Sequence, residues 1–252
     1  MNRVKIEYGQ HPQQFGRLYL PEIPVREPLP IVVVVHGGFW SGRYALNLGT
    51  QYAIEFARAG LAAWNIEYRR VGAGGMWPEV AADVSAALEA VGGVVAEHSP
   101  IPFDTNDVRV LGHSAGGHLA VWLAGEHGLA IRPSVVVSQA GVLDLTAGPT
   151  SGHVNPAVES LLGASFGEAP QLYEAVSPLH RVPTGIPVRC LHGSADVQVP
   201  VALSERYVAA ASAAGDDAVL SVVEGEDHFA FLQPGTECWA QSMAAVLGHR
   251  GG

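Results

Sequence analysis

At 252 residues, 48% of them hydrophobic, the chain has the length and the apolar content for one large α/β domain, or two small ones, with a sizeable core. A formal charge of −10 without any basic, aromatic-interleaved stripe speaks against nucleic acid and anionic membrane surfaces as partners. The opening "MNRVKIEYGQ" has no apolar signal-peptide core, and the longest aliphatic run, 31–35, is too short to span a bilayer. The expected location is therefore cytoplasmic, with Cys190 and Cys238 as reduced packing residues rather than a disulfide. No Cys/His spacing matches a zinc pattern, and no metal is expected.

In chain order, alternation in "RVKIEY" (3–8) and "FGRLYL" (15–20) predicts two antiparallel strands joined through "GQHPQ". Beyond a proline-rich spacer, "IVVVVH" (31–36) is β-branched without alternation, as a strand buried on both faces must be. Comparable runs follow at 61–67, 107–112, 133–140, 187–193 and 218–224. Between them, helical spacing is seen at 78–91, where Val80, Val84, Ala87, Leu88 and Val91 share a face, and at 114–127, 201–214 and 236–247. Alternating strands and helices predict a mostly parallel sheet of about eight strands, helices on both faces, and only the first pair antiparallel. One join is long: residues 144–186, with weak helical signals at 156–162 and 168–175, read as an insertion over the carboxyl edge of the sheet within a single domain spanning 1–252.

The spelling G-x-S-x-G occurs twice. In "GHSAG" Ser114 follows a strand and opens a helix, the place where a sharp turn lifts a hydroxyl clear of the sheet. Gly112 and Gly116 remove the Cβ atoms that such a turn would crowd. In "GASFG" Ser165 instead follows the helix-like "AVESLL", with Pro170 just beyond, and has no such context. A helix N-cap is the plain alternative role for Ser114, but a cap needs neither glycine nor distant partners.

A serine nucleophile needs a base and a group to orient that base. His228 in "EGEDHFAF" lies after the last predicted strand, at the carboxyl edge of the sheet; His249 lies in the terminal "HRGG". Asp196 in "HGSADVQVP" follows its strand directly and is the preferred orienting acid. Asp144 follows the preceding strand and suits a turn or cap, while Asp227 adjoins the base too closely in sequence. A developing oxyanion calls for fixed N–H donors: the backbone of Ala115 at the helix start, and of Gly38 and Phe39 in "HGGFW" after the 31–36 strand. Trp40 and Phe229 are candidate pocket residues, and with the glycine- and proline-rich insertion they would make a shallow one.

With "HGGFW", "GHSAGG", "HGSADVQVP" and "EDHF" in this order, the chain resembles the α/β-hydrolase superfamily over nearly its whole length. More narrowly, "HGGFW" and "YGQHPQQFGRLYLP" resemble the HGGxW branch of kynurenine formamidases and small carboxylesterases. The resemblance implies a Ser114–Asp196–His228 triad, no cofactor, and no N-terminal helical cap, since the segment before His36 reads as strands. The expected activity is hydrolysis of small acyl esters through an acyl-enzyme. An arylformamidase acting on N-formylkynurenine-like substrates is the alternative enzyme, and a non-catalytic binding protein of the same fold is the alternative from another class.

Overall fold

The computed structural model describes residues 2–22, 27–150 and 155–249. Its centre is an eight-stranded sheet of β1 (Asn2–Glu7), β2 (Phe15–Leu20), β3 (Leu29–Val35), β4 (Ala62–Ile66), β5 (Phe103–His113), β6 (Val135–Gln139), β7 (Val188–Gly193) and β8 (Ala218–Val223). The spatial order is β1-β2-β4-β3-β5-β6-β7-β8. β2 pairs antiparallel with both β1 and β4, and every pairing from β4 through β3 to β8 is parallel. Chain reversal is confined to the β1–β2 end, so the remaining strands all deliver their carboxyl ends to one edge. This is the α/β-hydrolase fold that the motif order implied.

β3 shows why the run "IVVVV" carries no polar alternation. All seven of its residues are buried. Ile31, Val33 and Val35 face one core with Val80, Val84 and Leu119, while Val32 and Val34 face a second core with Tyr52, Phe56 and Trp239. The period of two is present, but both phases are apolar because helices cover both faces. On the first face lie α2 (Glu79–Glu89) and α3 (Ala115–Ala124), on the second α1 (Thr50–Arg58) and α8 (Glu237–Leu247). α3 is buried along all ten residues, so it has no polar stripe.

α1 lies outside the set of helices expected from the sequence. Its signal is nonetheless present, since Tyr52, Ala53, Phe56 and Ala57 are its buried positions and fall at helical spacing. Within 144–186, the described residues form α4 (Ala147–Thr150), α5 (Pro156–Leu162), α6 (Pro170–Val176) and a 3₁₀ turn at Pro178–Arg181; residues 151–154 of that expected insertion lie outside the described residues. α7 (Ala202–Ala213) follows β7. Cys190 and Cys238 are free and buried.

Candidate active site

Ser114 sits between the end of β5 and the first residue of α3 with φ 56° and ψ −119°. A positive φ at a non-glycine residue costs of order 1–3 kcal/mol and persists only where the surroundings enforce it. They do so by close backbone packing. A Cβ on Gly112 would strike the Gly116 carbonyl, and one on Gly116 would strike the Val35 carbonyl and lie 2.6 Å from the His36 carbonyl oxygen. Both flanking glycines are therefore required by contact. Ser114 N–H donates to the Gln139 carbonyl (2.8 Å), tying the turn to β6. Ser165, by contrast, lies beyond α5 and donates its hydroxyl to Glu168 (2.6 Å), a local turn contact.

Asp196 and His228, 32 residues apart, meet at the same edge. His228 Nδ1–H donates to Asp196 Oδ2 over 2.6 Å, with both side chains almost wholly buried. That bond fixes the tautomer and leaves Nε2 as the free lone pair. The other carboxylate oxygen, Oδ1, accepts the backbone N–H of Gln198 (2.8 Å) and Val199 (2.9 Å). Burial pushes the Asp196 carboxyl up, but the hydrogen bonds from His192, His228 and Val199 outweigh it and hold the group well below the usual carboxylate range. A Cβ on Gly193 would strike the Glu226 carbonyl, so glycine at the end of β7 lets the Asp196 and His228 loops touch.

Two histidines outside the expected triad support this arm. His192 Nε2 lies 3.3 Å from Asp196 Oδ2 and 2.9 Å from the Val199 carbonyl, while its Nδ1 meets Ser204 Oγ at 2.8 Å. His113 Nε2–H donates to the His228 carbonyl (2.9 Å), and the two rings pack at 4.7 Å between centroids. Burial, aided by the neighbouring His228, lowers the His113 imidazole to about 3, so it packs as a neutral ring. Their signals are the letters before Gly193 and Ser114 in "LHGSAD" and "GHSAG", which spacing alone does not distinguish from packing.

The "HGGFW" loop lies against the serine: a Cβ on Gly37 would stand 3.1 Å from Ser114 Cβ. Gly38, Phe39 and Trp40 all have positive φ (108°, 57° and 52°), which turns successive peptides out of the β3 direction. Among the described residues, the N–H groups of Gly38, Phe39 and Ala115 donate to no protein acceptor. Of these three donors, Ala115 follows Ser114 directly in the chain, and Gly38 and Phe39 follow the Gly37 that packs against it. The Ser114 hydroxyl likewise makes no hydrogen bond among the described residues.

The other candidates separate. Asp144 spends Oδ1 on Thr146 N–H (2.9 Å), Thr146 Oγ (2.6 Å) and Ala147 N–H (3.1 Å), and Oδ2 on Arg206 (3.2 Å), with no histidine among these partners. It closes a turn. Trp40 is 1% exposed, its ring in the core and T-shaped to that of His118 (5.2 Å between centroids), whereas Phe39 and Phe229 are 41% and 48% exposed. A cavity of about 530 Å³ opens at the carboxyl edge. Val142, with Leu145 and Val158 of the 144–186 region and Leu203 and Arg206 of α7, is among its walls. Neither Ser114 nor His228 lines it, and Trp40 and Phe229 are not among its walls, so it is a different hollow from the shallow pocket expected from those two residues.

A strained serine at a strand–helix turn, beside unpaired N–H donors at the carboxyl edge of this sheet, places the chain in the α/β-hydrolase superfamily. Residues 17–210 match the family BD-FAE, and the chain belongs to that family. Among curated proteins it is 25% identical to Esterase LipC of Mycobacterium tuberculosis over 82% of this chain and 54% of that protein. It is 26% identical to a probable isoprenylcysteine alpha-carbonyl methylesterase of Oryza sativa over 90% of this chain and 58% of that one. The chain thus spans a little over half the length of these two relatives. Among solved structures, a truncated carbohydrate esterase from gut microbiota superposes with a TM-score of 0.84 at 20% identity, over 99% of this chain and 97% of that one. Thermogutta terrifontis esterase 2, phosphonylated by sarin, gives 0.80 at 21% identity over 97% and 92%.

Proposed function

We propose that this protein is a serine hydrolase that cleaves small acyl esters, with Ser114 as nucleophile, His228 as general base and Asp196 as its orienting acid. The observation that carries the reading is the 2.6 Å Asp196–His228 hydrogen bond, formed at the same sheet edge as the strained Ser114. Ser114 Oγ attacks the ester carbonyl carbon while His228 Nε2 takes its proton. The carbonyl oxygen becomes an oxyanion and is met by the N–H groups of Gly38, Phe39 and Ala115. The intermediate collapses as His228 returns the proton to the leaving alcohol, and the acyl group stays on Ser114. Water, activated by the same histidine, then releases the acid. No cofactor enters the scheme. The esterase names of the related proteins agree with it.

Further parts of the reading are a single catalytic domain over 1–252 and a cytoplasmic location. The one sheet to which all eight strands belong supports the first, and two free, buried cysteines support the second. Among the described residues no helix is long and apolar enough to cross a membrane. Membership of the HGGxW branch, with hydrolysis of an aromatic formamide, is the second reading. The half-exposed rings of Phe39 and Phe229 beside the site favour it, since they could stack an aromatic amine. Rates on 4-nitrophenyl acetate and butyrate, set beside N-formylkynurenine, decide between the two. Ester turnover exceeding formamide turnover supports the carboxylesterase; the reverse order selects the formamidase.

A further inference from the structure

Beneath the "HGGFW" loop lies a buried polar cluster that the reaction scheme leaves unused. His36, Glu67 and Arg70 are 2%, 2% and 3% exposed. His36 Nδ1 stands 2.7 Å from the carbonyl oxygen of Gly37, and its Nε2 stands 2.8 Å from Glu67 Oε1. Arg70 pairs with Glu67 and places Nη1 3.3 Å from the same Nε2. The Glu67 carboxylate is itself anchored, since the N–H groups of Tyr68 (3.1 Å) and Leu46 (3.0 Å) both donate to it. Arg70 is held from the far side by Gln13 (2.6 Å). The His36 ring is clamped flat by stacking on Tyr68 at 4.6 Å, whose hydroxyl donates to the His36 carbonyl (2.8 Å).

The proton count defines the role. A carbonyl oxygen only accepts, so the Gly37 contact requires a hydrogen on Nδ1. Burial lowers the His36 imidazole to about 3, so the neutral ring carries its single hydrogen on Nδ1, and Nε2 is left to accept from Arg70 Nη1. The Gly37 carbonyl belongs to the same peptide group as the Gly38 N–H, one of the three unpaired N–H donors. In a trans peptide the two bonds point in opposite directions, and the 37–38 bond is not among the cis peptides of the described residues. Fixing the carbonyl therefore aims the N–H. Hydrogen bonding to the carbonyl also draws electron density from the amide and makes its N–H a stronger donor.

We propose that His36, braced by Glu67 and Arg70, orients and polarises the Gly37–Gly38 peptide so that the Gly38 N–H is set for the oxyanion before substrate arrives. All three are positioning residues and touch no reacting atom. The proposal rests on the serine-esterase reading above and adds to it the origin of one donor's strength.

The test compares His36→Leu, His36→Asn and Glu67→Gln with the wild type. The measurements are kcat and KM on 4-nitrophenyl butyrate, and the Ki of an alkyl trifluoromethyl ketone, which forms an oxyanion on serine. Removing a whole oxyanion donor costs about 10²–10³ in kcat, so mis-aiming one should cost about 10 to 100. His36→Leu should lose that factor in kcat, keep KM within about twofold, and raise the ketone Ki in proportion. Asparagine can offer an amide N–H where Nδ1–H stood, so His36→Asn should recover part of the loss. Glu67→Gln, nearly isosteric, should show the same split to a smaller degree and decides the matter if the His36 variants do not fold. The proposal is overturned if His36→Leu and Glu67→Gln retain full kcat, if leucine outperforms asparagine, or if the loss falls on KM with the ketone Ki unmoved. Should the wild type neither cleave the ester nor bind the ketone, it is the esterase reading that has failed.

Discussion

Replacing Asp196 by Asn tests the orienting acid most sharply, because the structure shows what the amide would face. Each carboxylate oxygen is used: Oδ1 accepts two backbone N–H groups, and Oδ2 accepts His228 Nδ1–H at 2.6 Å with His192 Nε2 at 3.3 Å. An amide has only one oxygen. If it stays on the Gln198 and Val199 donors, its NH₂ is presented to His228 Nδ1, which must then accept. The imidazole proton moves to Nε2, and the base loses the lone pair it needs. If the amide flips, two backbone N–H groups confront the NH₂ and the loop is disturbed instead. Tautomer inversion of this kind costs about 10³–10⁴ in kcat, or about 4–5.5 kcal/mol of transition-state stabilisation. The assay is steady-state hydrolysis of 4-nitrophenyl butyrate across pH, with circular dichroism to verify the fold. A loss below about tenfold in folded protein would refute the assignment, since removing a triad acid is worth far more. So would a larger loss from Asp144→Asn, whose carboxylate only closes a turn and pairs with Arg206.

Other expectations follow from the same contacts. Ser114→Ala should abolish turnover and leave thermal stability nearly unchanged, whereas Ser165→Ala, which loses only a surface bond to Glu168, should be silent in both; activity assays with melting curves decide. Gly116→Ala drives a methyl group into the Val35 and His36 carbonyls, and overpacking against backbone should cost about 3 kcal/mol, a melting shift of roughly 6–12 °C. An unchanged melting temperature would mean that the turn has room the contacts deny. Asp196 is held below its ordinary pKa in the folded state, so its contribution to stability is complete above the unfolded carboxylate pKa of about 4 and is lost as pH falls below it. Urea unfolding between neutral pH and acid should therefore show a smaller acid-induced loss for Asp196→Asn than for the wild type; parallel losses would contradict the depressed pKa.

The buried strands and the elbow are legible in the sequence because each rests on local chemistry. A β-branched run without alternation can only sit between two covered faces, and β3 does so. Glycines at 112 and 116 announce backbone contact, and the contact is there. Chain order points to Asp196 and His228, and the fold brings their side chains together. What stays hidden depends on partners far away in sequence. Glu67 follows β4 and looks like any strand-end acid until His36, 31 residues earlier, is seen against it. His192 reads as packing until Asp196 Oδ2 lies 3.3 Å away. Trp40 leaves the expected pocket for a backbone reason: a positive φ at a tryptophan is disfavoured by sterics, so no local rule foretells that its ring turns inward. The cavity is not legible in any one segment because its walls come from α5 and α7 together.

The most direct measurement of the central claim is covalent labelling of the folded protein with a fluorophosphonate, followed by peptide mass spectrometry. The predicted result is a single adduct on the peptide carrying Ser114, absent from Ser114→Ala and from protein unfolded before labelling. An unlabelled native protein, or an adduct on the Ser165 peptide with Ser114 untouched, would contradict the account.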